Sequence, residues 1–114
     1  MPSEGLETKI SRTDQGTVIE LMGTVNRGAK QRLEDAYDDA TKEPGKVLLD
    51  FTAVDYINST GIAVIVGVLA MARAQSREVG AFGLSDHYRE VFQITRLADF
   101  MTIYEDATAA TAAG

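Results

Sequence analysis

From Gly61 to Ala72 the chain places no polar side chain at all, and this run limits the folds open to it. It is too short to span a bilayer, which takes about 20 residues. In water, a helix apolar on nearly every side must be buried on more than one side or present part of its surface to a partner. Just ahead of it lies Lys46 to Phe51, with Val-Leu-Leu-Asp-Phe at its centre. Apolar residues at consecutive positions there predict an inner strand covered on both faces. An all-round apolar helix following a two-faced strand requires strands and helices in layers.

The rest of the chain supplies those layers. Leu6 to Ser11 alternates, Asp14-Gln15-Gly16 is a turn signal, and Thr17 to Met22 is rich in β-formers, which predicts a hairpin closed at Gly23. Asn26 can cap a helix start. Behind it Ala29, Leu33, Ala36, Tyr37 and Ala40 fall on one helical face, and Lys42-Glu43-Pro44-Gly45 stops the helix. Thr52 to Ile57 reads as a short crossing segment. Asn58-Ser59-Thr60 then opens the apolar helix, expected from Gly61 to about Ser76. Glu78 to Leu84 is a fourth strand. Ser85 or Asp86 can cap a third helix with Tyr88, Val91, Phe92 and Thr95 on one side, and Met101 to Tyr104 is a final short strand. The order β-β-α-β-α-β-α-β predicts an α/β fold, a mixed sheet of four to five strands with three to four packed helices. A chain of 114 residues suits one domain over 1–114, with 1–5 and 107–114 as loose ends, although the alanine-threonine stretch Ala107 to Ala113 could also extend a helix.

Most chemistries are excluded early. There is no cysteine, so disulfides, thiolate metal sites and cysteine nucleophiles are out. The formal net charge of −6 opposes nucleic-acid binding, and no basic patch overrides it. The polar stretch Met1 to Ile10, with Glu4 and Glu7, is no signal peptide, and a cytoplasmic protein without a membrane anchor is expected. The only histidine, His87, reads as an exposed residue in a helix's first turn. Ser59 lacks the context of a hydrolase nucleophile, and neither a phosphate-binding glycine loop nor a dinucleotide fingerprint occurs. Asp50 and Asp55 flank a strand end and read as turn caps rather than an acid pair. No catalytic residue, metal or cofactor is expected.

Asp50 to Val68 is the informative segment: a buried strand, a crossing, and a helix whose first turn holds two hydroxyls and a glycine. Asn58 or Ser59 is an N-cap on this reading. A helix N-terminus also tolerates an anion. A phosphate on Ser59 adds roughly −1.5 to −2 charge without unfolding the domain, beside an apolar contact at Gly61 and Ile62.

At these residues the sequence resembles the STAS family, the domain of anti-sigma factor antagonists and sulfate-transporter tails. Asp50, Val54, Ile57, Asn58, Ser59, Thr60, Gly61 and Ile62 fill the family's strand, crossing and Asp-Ser-Ser/Thr-Gly-Leu/Ile pattern. Leu21-Met22-Gly23-Thr24-Val25-Asn26 is similar to its Leu-x-Gly-x-Leu-Asp, and Ser85 to Leu97 to its third helix. The resemblance implies an antagonist that binds an anti-sigma factor serine kinase while unphosphorylated, is released by phosphorylation at Ser59, and is restored by a PP2C-type phosphatase. Asn26, Asn58, Thr60, Gly61 and Ile62 would form the docking surface. Asn58 and Asn26 stand where the family usually has Asp, which removes two charges. That departure keeps open a non-phosphorylated scaffold subunit of a transport or signalling complex. A small nucleotide- or lipid-binding protein is a further alternative.

Overall fold

The computed structural model describes residues 5–111. A hairpin opens the chain: β1 (Leu6–Thr13) runs antiparallel to β2 (Gly16–Val25), pairing Leu6 with Gly23 and Thr13 with Gly16. Three further strands join in parallel, β3 (Lys46–Ile57) on β2, β4 (Val79–Phe82) on β3 and β5 (Thr102–Ile103) on β4. The spatial order of this five-stranded sheet is the order of the sequence. Right-handed crossovers between strands laid down in one direction put every crossing helix on the same face.

Those crossing helices are α1 (Lys30–Ala40), α2 (Ser59–Ala74) and α3 (Asp86–Ile94). With them Ile19, Leu21, Val47, Leu49 and Phe51 of the strands form the main core. The expected face of the first helix is confirmed, since Ala29, Leu33, Ala36, Tyr37 and Ala40 are all buried. Phe51 meets Phe92 of α3 edge-on at 5.6 Å. On the opposite face of the sheet Leu48 and Phe82 are covered by Ala110 and Tyr104. Residues 107–111, expected as part of a loose end, therefore form a short helix, α4 (Ala107–Thr111), anchored by Ala110. Residues 1–4 and 112–114 lie outside the described residues.

Other boundaries differ from expectation for local reasons. Gly23 does not close β2; its φ of +102° and register shifts on either side carry the strand on to Val25. Because β2 continues, the segment Thr52 to Ile57 is no separate crossing. It is the second half of β3, with Ala53, Val54, Tyr56 and Ile57 paired to Met22, Gly23, Thr24 and Val25. Asn26 caps a single 3-10 turn, Arg27–Ala29, before α1 begins.

Candidate functional site

The long pairing of β2 with β3 brings the ends of both strands to one edge of the molecule, below the start of α2. Asn58 leaves β3 in an extended conformation, and its N–H donates to the Val25 carbonyl at 3.2 Å. Its side-chain Oδ1 accepts from the Gly61 N–H at 2.8 Å and from the Thr60 hydroxyl at 2.7 Å. Asn58 is thus the N-cap, and a residue with a short polar side chain is what the first turn needs. Thr60 Oγ1 in turn accepts from the Arg27 N–H at 3.1 Å. The chain of bonds from Arg27 through Thr60 to Asn58 ties the exit of β2 to the entry of α2. Asn26 acts on the other side of this tie, accepting from the Gly28 N–H at 2.9 Å.

Ser59 is the first residue of α2 and is exposed, and its hydroxyl enters none of these bonds. The Ser59 and Thr60 N–H groups are orphan donors of the first turn. The structure also divides the expected docking residues by role. Ile62 is half-buried and lines a groove with Ser59. Asn26, Asn58 and Thr60 are half-buried and hold the turn together. Gly61, expected in the docking surface, is buried, and a side chain there would run into the Val25 carbonyl. It allows α2 to sit against β2.

Two grooves flank the first turn of α2. One, of about 370 Å³, lies between α2 and α3 and is walled by Tyr56, Ser59, Ile62, His87, Tyr88 and Val91 among others. The other, of about 320 Å³, runs between α1 and α2, with Arg27, Lys30 and Glu34 on one side and Ala63 and Gly67 on the other. Lys30 is paired with Glu34 at 2.8 Å. A large apolar group stays exposed in the first of these grooves, Tyr56 at 55%. Sequence reasoning missed Tyr56, because a residue in a crossing loop has no assigned face. As the end of β3, it projects beside Ser59.

Asp50 and Asp55 do not flank a strand end as expected, because both lie within the extended β3; there Asp50 accepts from the Thr52 N–H at 2.9 Å inside the strand. Among the described residues there is no cluster of three metal-ligating side chains and no helix long and apolar enough to cross a membrane. The arrangement offers an exposed hydroxyl at a helix start, set in a partly apolar surface.

Comparison with known proteins agrees with this fold. The STAS domain model matches residues 7–110. An anti-sigma-B factor antagonist of Listeria monocytogenes is 32% identical over 99 residues, 86% of each chain. The crystal structure of an anti-sigma factor antagonist from Mycobacterium paratuberculosis superposes with a TM-score of 0.77 at 17% identity, covering 96% of this chain and 93% of that one. The Bacillus cell fate determinant SpoIIAA, solved in its phosphorylated form, gives 0.66 at 19% identity, covering 91% and 96%. At such identities the two structures establish the fold.

Proposed function

The chain belongs to the STAS domain family, and we propose that it acts as an anti-sigma factor antagonist switched at Ser59. In the unphosphorylated state it binds an anti-sigma factor serine kinase over the first turn of α2 and so frees a sigma factor. The kinase transfers the γ-phosphoryl group of ATP to Ser59 Oγ. The new P–O bond replaces the O–H, the proton leaves to the kinase, and ADP departs. A PP2C-type phosphatase hydrolyses the ester and restores the binder.

The observation that carries this reading is the exposure of Ser59 at the helix start, next to half-buried Ile62 and exposed Tyr56. A phosphate there is tolerated by the domain, because the helix dipole and the first-turn N–H groups favour an anion. The docked partner would have to desolvate that charge against an apolar contact, which costs several kcal/mol unless it supplies a cation. Since every 1.4 kcal/mol is tenfold in affinity, one phosphate suffices to release the partner.

The test is incubation with the cognate kinase and ATP. The protein should gain one phosphate, mapped to Ser59 by mass spectrometry, and Ser59→Ala should gain none. A Ser59→Ala protein that is still phosphorylated removes the assignment. A second reading, a scaffold subunit that is never phosphorylated, is favoured by the neutral Asn58 cap, whose Oδ1 is already engaged by Gly61 and Thr60. Recovery of a transport ATPase rather than a sigma regulator as the bound partner would decide for it.

A further inference from the structure

The sequence contains one histidine and one candidate phosphate acceptor, with no motif to join them. The fold brings them to the same groove: Ser59 from the first turn of α2 and His87 from the first turn of α3. The join is anchored. The His87 ring stands edge-on to Tyr88, centroids 4.9 Å apart. Tyr88 Oη accepts from the Ile57 N–H at 2.9 Å, immediately before the capping residue Asn58. The platform under His87 is therefore fixed to the segment that presents Ser59.

His87 is exposed, and neither ring nitrogen is hydrogen-bonded among the described residues. Of the side chains lining the groove it alone can carry a positive charge, and no carboxylate is among them. The other titratable groups there are the Tyr56 and Tyr88 phenols. Outside the groove, Asp86 and Glu90 flank His87 along α3, while Asp55 of β3 lines the neighbouring cleft with Ser85.

We propose that His87 is the intrachain phosphate-recognition residue of the switch, donating from a protonated imidazole to a phosphate monoester carried by Ser59. This inference rests on the reading of Ser59 as the phosphate acceptor. Two tendencies combine in it: a phosphate at helix-start Ser59 brings nearly two negative charges, and an imidazole across a groove gains a proton most readily beside an anion. The bonded phosphate would lie over Ile62 and Val91, which line the same groove. The phosphorylated state is then occluded as well as charged, so release does not depend on repulsion alone.

The test uses full-length protein with phosphoserine installed at Ser59 during synthesis, so that no kinase is needed. The 31P resonance is followed across pH in the parent, in His87→Gln and in His87→Lys. A free phosphoserine loses its second proton near pH 6. The midpoint should be lower in the parent than in His87→Gln by about half a unit or more, and His87→Lys should restore the low value. Equal midpoints in the parent and His87→Gln overturn the proposal, as does a high midpoint in His87→Lys. Failure of a kinase to phosphorylate Ser59 would overturn the functional reading alone, because the phosphate in this experiment is placed by synthesis.

Discussion

Gly61 of α2 lies so close to Val25 of β2 that a β-carbon on it would collide with the Val25 carbonyl. The approach is needed because Asn58, three residues earlier, bonds the same carbonyl through its N–H. Gly61→Ala must push the helix start off the strand, against backbone that cannot yield. Overpacking of this kind costs about 3 kcal/mol. Gly67, on the exposed side of the same helix, has nothing within 4 Å of an added β-carbon. There the change to alanine improves helix propensity by about 1 kcal/mol. Urea unfolding should move in opposite directions for Gly61→Ala and Gly67→Ala.

The cap at Asn58 predicts a second pair. Asn58→Ala removes the acceptor of the Gly61 N–H and the Thr60 hydroxyl together, and should cost about 1 kcal/mol. Asn58→Asp keeps an oxygen in place and adds a negative charge at a helix start, so its melting temperature should equal or exceed that of the parent. An aspartate variant as unstable as the alanine variant would show that the Asn58 side chain does not cap α2 in solution.

At Ser59 the prediction concerns affinity rather than stability. Ser59→Asp adds charge at an exposed position, so its unfolding free energy should stay within about 0.5 kcal/mol of the parent. Its affinity for the kinase should fall by about tenfold or more, measured by calorimetry. An unchanged affinity would count against the electrostatic switch. Ser59→Ala should bind like the parent and no longer respond to ATP.

How far this site was legible in the sequence depends on whether a residue's role is local. A cap at Asn58 or Ser59 follows from neighbours within one turn, and the structure selects Asn58. The burial of Gly61 does not follow from them, since it depends on Val25, which only the β2–β3 pairing brings close. The extension of β3 through Tyr56 was hidden because it depends on register shifts in a different strand, at Gly23. Helix α4 was undecided between helix and frayed end for another reason: an alanine-threonine stretch carries no apolar periodicity, and Ala110 anchors it only because Leu48 and Phe82 lie beneath. His87 and Ser59 share a groove through the α3 crossover, a relation no local pattern records.

Tyr56 separates surface from core in the same region. It is 55% exposed, so Tyr56→Ala should change stability by no more than about 0.5 kcal/mol. Exposed tyrosines beside a docking point are frequent anchors, and truncating one costs 2 kcal/mol or more where it is central. Kinase affinity should therefore fall by about thirtyfold in Tyr56→Ala, while Ser59 phosphorylation at saturating kinase persists. An unchanged affinity would place the partner on the other flank of α2, along Arg27 and Gly67.

Tyr37 gives a prediction for alkaline pH. It lies on the buried face of α1, and its hydroxyl donates to Gln75 Oε1 at 2.9 Å. Burial raises its pKa above the ordinary 10.0, with Arg77 opposing and Asp38 adding to the rise. The folded protein thus keeps the phenol proton at a pH where the unfolded chain has lost it. More protons bound in the folded state means that stability falls as pH rises, starting near the unfolded value of 10.0 and continuing to the raised folded value. Below pH 10 this group contributes no slope. Tyr37→Phe removes the titrating group and the bond to Gln75, so it should be less stable than the parent at pH 8 by about 1 kcal/mol. Above pH 10 its stability should decline less steeply, and the gap should narrow. Parallel declines in the two proteins, followed by urea unfolding between pH 8 and 11, would show that the buried phenol does not govern alkaline unfolding.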